Sequence, residues 1–161
     1  MNRFLSVLTN TTALLSLTCV SVTLVSCASN DTLRVRQFNL RSIEVADYEQ
    51  AMVRGEQMNR LRGAVSIEEQ RKRLGQYYTV SWQNTGNHPG PLKIVMEYQQ
   101  AATGSKILKM SRDLPANEIS GVAEFAVNGD AYLKGGRILA WRISMLSGNK
   151  VVAEKHSYLW K

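Results

Sequence analysis

Cysteine is nearly absent from the chain: two residues in 161, Cys19 and Cys27. From residue 28 onward there is no thiol, which excludes a catalytic cysteine, a zinc–thiolate site or a redox pair there. Histidine is as scarce. His88 lies in an Asn-His-Pro-Gly loop and His156 in the last predicted strand, with no HExxH or paired spacing. Two ordinary surface histidines are expected and no metal site. Charge is missing from the start: Arg3 is the only ionised side chain before Asp31. Long apolar runs are missing too. The run Ala13–Val25 is broken by Ser16, Thr18, Ser21 and Thr23, a poor match to the roughly 20 apolar residues of a permanent membrane span. There is no G-x-S-x-G elbow and no S-x-x-K, so nucleophilic serine chemistry lacks its usual setting. Gly135-Gly136 precedes a strand instead of joining strand to helix, and is expected to be a hairpin turn, not a phosphate loop. No internal repeat or low-complexity run is visible.

What the first thirty residues do contain is ordered. A positive start, an apolar middle and small residues at the end describe a secretory signal. It closes on Leu24-Val25-Ser26-Cys27. This resembles the lipobox of bacterial lipoproteins: a branched apolar residue, a tolerant position, a small residue, then cysteine. The resemblance covers the leader alone. It implies transfer of a diacylglycerol to the Cys27 thiol, cleavage between Ser26 and Cys27, and further acylation of the new amine. Two or three acyl chains anchor stably where one is marginal. Position 28 is alanine, not the aspartate that favours inner-membrane retention, which implies outer-membrane sorting in a host with two membranes. The expected organisation is a cleaved signal over 1–26, a lipidated tether over 27–32 and one domain over 33–161.

Removing residues 1 to 26 from 161 leaves 135, enough for one core without disulfides. The formal charge of +7 falls to +6 with the loss of Arg3. A basic balance favours anionic partners: lipid headgroups, acidic glycans or nucleic acid. Export removes the last, so no nucleic acid is expected. The basic residues concentrate in Arg54, Arg60, Arg62, Arg71, Lys72 and Arg73, with Glu56, Glu68 and Glu69 between them. Arg71, Lys72 and Arg73 are the candidate anionic-partner surface.

The mature chain reads as strands. Leu33–Val45 gives one or two, with a phase change. A basic helical segment covers about 47–74. Within it, Asp47 and Gln50 open a short helix ending before Gly55. Ser66 and Glu69 form a capping box for a helix over 67–74, with Gly75 as its left-handed stop. Strands then follow at Tyr77–Gln83, Leu92–Gln100, Ile107–Arg112, Ile119–Val127, Ile138–Leu146 and Val151–Leu159, with turn residues between most of them. Asn128–Gly136 is expected to be a loop. Tyr78, Val80 and Trp82 share one face, as do Leu92, Ile94, Met96 and Tyr98, and Leu139, Trp141, Ile143 and Met145. Trp82 and Trp141 therefore read as core, with Trp160 closing the last strand. Parallel winding needs crossover helices that are missing. The expected fold is all-β: an antiparallel sandwich of about seven strands, immunoglobulin-like or fibronectin-like, with a short helical segment near the N-terminus.

Glu97, Glu124 and Glu154 occupy outward strand positions, and Glu68 and Glu69 serve the helix start. No enzyme and no cofactor are expected. The functional expectation is an outer-membrane lipoprotein acting as a non-enzymatic structural or interaction module, with a membrane contact through its lipid and an envelope protein as partner. An envelope polyanion- or glycan-binding protein using Arg54–Arg73 is the alternative, and an envelope hydrolase the third.

Overall fold

A computed structural model describes residues 31–45, 49–86, 88, 90–115 and 118–161. The described residues form seven strands and three short helices in the order β1 (Leu33–Leu40), α1 (Ala51–Leu61), α2 (Ile67–Arg73), β2 (Gly75–Gln83), β3 (Leu92–Gln100), β4 (Leu108–Asp113), β5 (Ser120–Asn128), α3 (Gly129–Gly135), β6 (Ile138–Ser147) and β7 (Lys150–His156). Two antiparallel sheets result. One runs β1-β2-β5, the other β4-β3-β6-β7. The fourth strand joins the third instead of the first sheet, so three strands face four. Of the two sandwich types expected, this is the fibronectin-like division.

Alternation builds the core. Tyr78, Val80 and Trp82 of β2 and Ala123, Phe125 and Val127 of β5 point inward. They meet Leu92, Ile94, Met96 and Tyr98 of β3 and Ile143 and Met145 of β6, all of them buried. The Tyr78 ring meets Trp141 edge-on across the sheets, with ring centroids 5.6 Å apart. Trp82 lies in the core and Trp141 packs against it, as their phase with apolar neighbours predicts.

Five local expectations are corrected. Leu139 does not share the inner face of β6: it is 41% exposed, while Ile138 and Ala140 are buried. A bulge causes this. Gln99 pairs with Ala140 and Gln100 with Ile138, leaving Leu139 as the extra residue that inverts the phase. The first helix does not end before Gly55 but runs through it to Leu61. Asp47, its expected opener, lies outside the described residues. Gly75 is not a left-handed stop: Leu74 ends α2 in extended geometry and Gly75 opens β2. Glycine is needed there for space, because a Cβ would collide with the Val127 carbonyl oxygen. The expected loop after β5 contains α3. Gly135-Gly136 therefore ends a helix and is not a hairpin turn, with Gly136 at φ 75° where a side chain would be strained. Leu33–Val45 yields one strand, within the one or two expected, and it ends at Leu40.

The helices lie at one end and over one face. The outer face of the β1-β2-β5 sheet carries Phe38, Leu40 and Tyr77, and α1 covers them with Gln57 and Arg60. Among the described residues no helix is long and apolar enough to cross a membrane.

Candidate functional site

Cys27 and Ser26 lie outside the described residues, so the candidate site lies on the surface of the sandwich. Its basic cluster divides in two. Arg60 does not face solvent freely: its side chain is 15% exposed, Nε lies 2.7 Å from Glu56 Oε1, and Nη2 lies 3.3 Å from Glu124 Oε1. Its guanidinium also stacks over the Tyr77 ring at 4.6 Å. Burial acts against its charge, but hydrogen bonds from Arg60 to Glu124 and Glu56 outweigh that and raise its pKa. Arg60 is therefore a structural clamp between α1 and the sheet.

Arg71, Lys72 and Arg73 form the last turn of α2 and are exposed. Their backbone is used internally: the Leu74 amide donates to the Arg71 carbonyl, and the Tyr77 hydroxyl donates to the Arg73 carbonyl. Among the three side chains, Lys72 is paired, 3.0 Å from Glu68. No ion pair engages Arg71 or Arg73 among the described residues. The capping box forms as expected. The Ser66 hydroxyl accepts from the Glu69 amide at 3.2 Å, and Glu69 Oε2 accepts from the amides of Ser66 and Val65 at 3.0 and 2.9 Å. Hydrogen bonds from those two amides hold the exposed Glu69 carboxyl below the usual range.

The strand acids are each committed. Glu97 sits between Lys109 of β4 and Arg142 of β6. Nε and Nη2 of Arg142 reach its Oε2 at 2.9 and 2.5 Å, and Lys109 lies 3.3 Å away. Burial pushes its pKa up, but the hydrogen bonds and charges of Arg142 and Lys109 prevail and lower it. Arg142 stacks in turn on Trp160 at 5.1 Å, so Trp160 covers β6 instead of closing β7. Glu154 accepts from Ser144 at 3.2 Å. Glu97 and Glu154 belong to the outer face of one sheet and Glu124 to that of the other. A carboxylate held ionised by two cations is a poor general acid. His88 is tied through its amide to Asn84, and the His156 ring contacts the Ser157 carbonyl at 3.1 Å. Among the described residues no group of three or more His, Cys, Asp or Glu converges as a metal site.

Strand edges distinguish the two sides of the sandwich. β7 runs beside β1, bridged by Lys155 and Asp31 at 3.6 Å. On the other side β5 ends its sheet and β4 ends its own. β4 is six residues long and carries Lys109, Arg112 and Asp113, the charges that blunt an edge. β5 is nine residues long and exposes Val122, Glu124 and Ala126. Beside it lies a groove of about 260 Å³ lined by Trp82, Arg112, Leu114, Pro115, Glu118, Val122 and Ala123, among others.

No family model matches the chain. No curated protein matches it either. A solved structure of a protein from Akkermansia muciniphila is similar with a TM-score of 0.39 and 11% identity, over 80% of this chain and 72% of that one.

Three buried glutamines escape sequence reasoning. Gln57 donates to the carbonyls of Ser42 and Glu44 at 3.0 and 2.8 Å. Gln76 donates to Asn39 Oδ1 at 3.1 Å and accepts from the Ile138 amide, joining the two sheets. Gln100 donates to the carbonyls of Ala131 and Gly136 at 2.9 and 2.8 Å, fixing α3. No sequence signal separates these from solvent glutamines, because each partner is distant backbone or a remote side chain.

Proposed function

We propose that the chain is an outer-membrane lipoprotein, acylated at Cys27, whose sandwich is a non-enzymatic interaction module of the cell envelope. The anchor is supported by the Leu24-Val25-Ser26-Cys27 segment and by Ala28 after it. The module reading is carried by one observation: β5 is a nine-residue edge strand paired on one side only, with a groove beside it. A partner's extended segment can add to such an edge, gaining main-chain hydrogen bonds while alternate side chains enter the groove. The partner is an envelope protein, and the lipid keeps the module at the bilayer. Cys27→Ser tests the anchor: acyl labelling disappears and precursor or soluble protein accumulates. Unchanged membrane attachment refutes it.

A second reading rests on the exposed Arg71 and Arg73, which bear no ion pair among the described residues. It assigns the Arg54–Arg73 region to an envelope polyanion or glycan. Affinity then falls steeply with salt and in the combined Arg71→Ala, Lys72→Ala, Arg73→Ala variant. Binding of the partner protein through β5 survives moderate salt.

A further inference from the structure

The turn between α1 and α2 combines features that neither the core nor a solvated charged face requires. Val65 is 90% exposed, Ile67 62% and Met58 57%, three large apolar side chains within ten residues. Val65 occupies the position before an N-cap where an apolar residue ordinarily staples onto the fourth helical residue. Here that residue is Gln70, whose side-chain Nε2 donates to the Ala64 carbonyl at 3.3 Å, so Val65 has no staple partner. The turn is nevertheless held. Gly63 takes φ 82°, the Ala64 amide donates to the Leu61 carbonyl at 3.0 Å, and Glu69 grips the amides of Val65 and Ser66. Val65 is thus presented on a fixed turn, which lowers the ordering cost of inserting it. Around it, residues 61–74 carry four cations, Arg62, Arg71, Lys72 and Arg73, against Glu68 and Glu69. Glu69 is committed to the cap and Glu68 to Lys72, leaving net positive charge beside the apolar side chains.

We propose that this turn docks on an anionic lipid bilayer, with Val65 and Ile67 entering the headgroup boundary and Arg62, Arg71 and Arg73 meeting the phosphates. Charge alone would equally suit a soluble polyanion, but exposed Val65 and Ile67 add nothing to binding a hydrated acidic polymer. Apolar burial combined with cations is the pattern of interfacial membrane binding. The position adds an orientation, and this part rests on acylation of Cys27. Leu33 of β1 pairs with Trp82, at the end of the sandwich where Asp31 lies, while Leu40 pairs with Gly75, next to α2. Eight residues of strand set these ends roughly 25 Å apart. Residues 28–31 extend at most about 14 Å. Lipid at one end and the turn at the other lay the domain along the membrane, by two points instead of one.

The test uses the full chain with Cys19→Ser and Cys27→Ser, so that a single new cysteine carries an environment-sensitive fluorophore. One preparation is labelled at Ala64→Cys beside the tip, another at Ser111→Cys on the far sheet. Vesicles are equal parts phosphatidylcholine and phosphatidylglycerol, or phosphatidylcholine alone. The expected result is blue-shifted emission from the position 64 label on anionic vesicles, with none from position 111. Adding Val65→Ser with Ile67→Ser abolishes the shift, and Arg71→Ala with Arg73→Ala weakens vesicle binding roughly 30-fold, from two cations at an anionic surface. All four side chains are exposed, and an unchanged melting profile shows that the variants fold. Equal shifts at both positions mean attachment through the leader and overturn the proposal. So does a shift that survives loss of Val65 and Ile67, or equal affinity for a soluble acidic polymer. Acyl labelling of Cys27 is read separately, so failure of the anchor leaves the tip's result standing, and the reverse.

Discussion

The two outer faces of the sandwich are finished in different ways. The face of β1-β2-β5 is covered over Phe38, Leu40 and Tyr77 by α1, with Gln57 and Arg60 as the polar fixings. The face of β4-β3-β6-β7 carries no helix among the described residues. It is crossed by a row of charge, Lys109 to Glu97 to Arg142, ending on the Trp160 ring. One face is completed mainly by buried apolar contact and hydrogen bonds to main chain, with the largely buried Arg60 paired to Glu56 and Glu124, and the other by a row of ion pairs. The helix-covered side should therefore depend on shape and the charged side on pH.

Close backbone packing beneath the helical end gives the largest expected effect. Gly75→Ala places a Cβ against the Val127 carbonyl and Asn128 backbone, which only backbone movement can relieve. The expected cost is about 3 kcal/mol, measured as the loss in urea-unfolding free energy. A cost near that of an ordinary strand substitution would show that β2 and β5 have room to separate at this point.

The charged face should respond to acid. The folded pKa of Glu97 is depressed below its ordinary 4.5 by Arg142 and Lys109. Its contribution to stability is thus present above about pH 4.5 and fades as pH falls through the lower folded value. Glu97→Gln should cost about 1 to 2 kcal/mol at neutral pH and flatten the acid limb of the stability profile. Arg60→Ala, on the other face, should leave the Glu97 part of that limb in place. Parallel acid limbs for wild type and Glu97→Gln would remove the distinction between the faces.

Between the faces, the Tyr78 hydroxyl is buried without a hydrogen-bond partner among the described residues, and burial pushes its pKa well above the usual phenol range. Tyr78→Phe keeps the ring against Trp141 and deletes the orphan group. A gain of about 1 kcal/mol is expected, read as a higher unfolding midpoint with an unchanged denaturant slope. The smallest effect belongs to the covering helix. Gly55 lies inside α1 with open space at its Cβ position. Gly55→Ala should stabilise by about 0.5 to 1 kcal/mol, and a loss would show that α1 is not helical through that residue.

The same contrast explains what is legible in the sequence. Inner faces follow a period of two, so Tyr78, Val80 and Trp82 and Leu92, Ile94, Met96 and Tyr98 stand out from their alternation alone. The capping box is visible because its partners, Ser66 and Glu69, lie three residues apart. Leu139 is misread because a bulge inverts the phase, and a bulge leaves no mark in an apolar run. Gly75 is misread because a turn conformation and a close contact both select glycine. Gln57, Gln76 and Gln100 are hidden because their partners lie far along the chain. Proximity along the chain groups Arg60 with Arg71 and Arg73, although its partner Glu124 is 64 positions away. For the surface sites, residue type is legible and role is not: exposure of Val65 and the free edge of β5 exist only in three dimensions.

The proposed contact between the module and a protein partner through the edge of β5 is open to direct test. A photo-crosslinking residue at Val122, on that edge, is compared with one at Ser111, on the charged face, in the lipidated chain within intact cells. A discrete adduct to one envelope protein from position 122, persisting at moderate salt and absent from position 111, is the predicted result. Equal adducts from both positions, or none from position 122 while position 111 captures a defined protein, would contradict the claim.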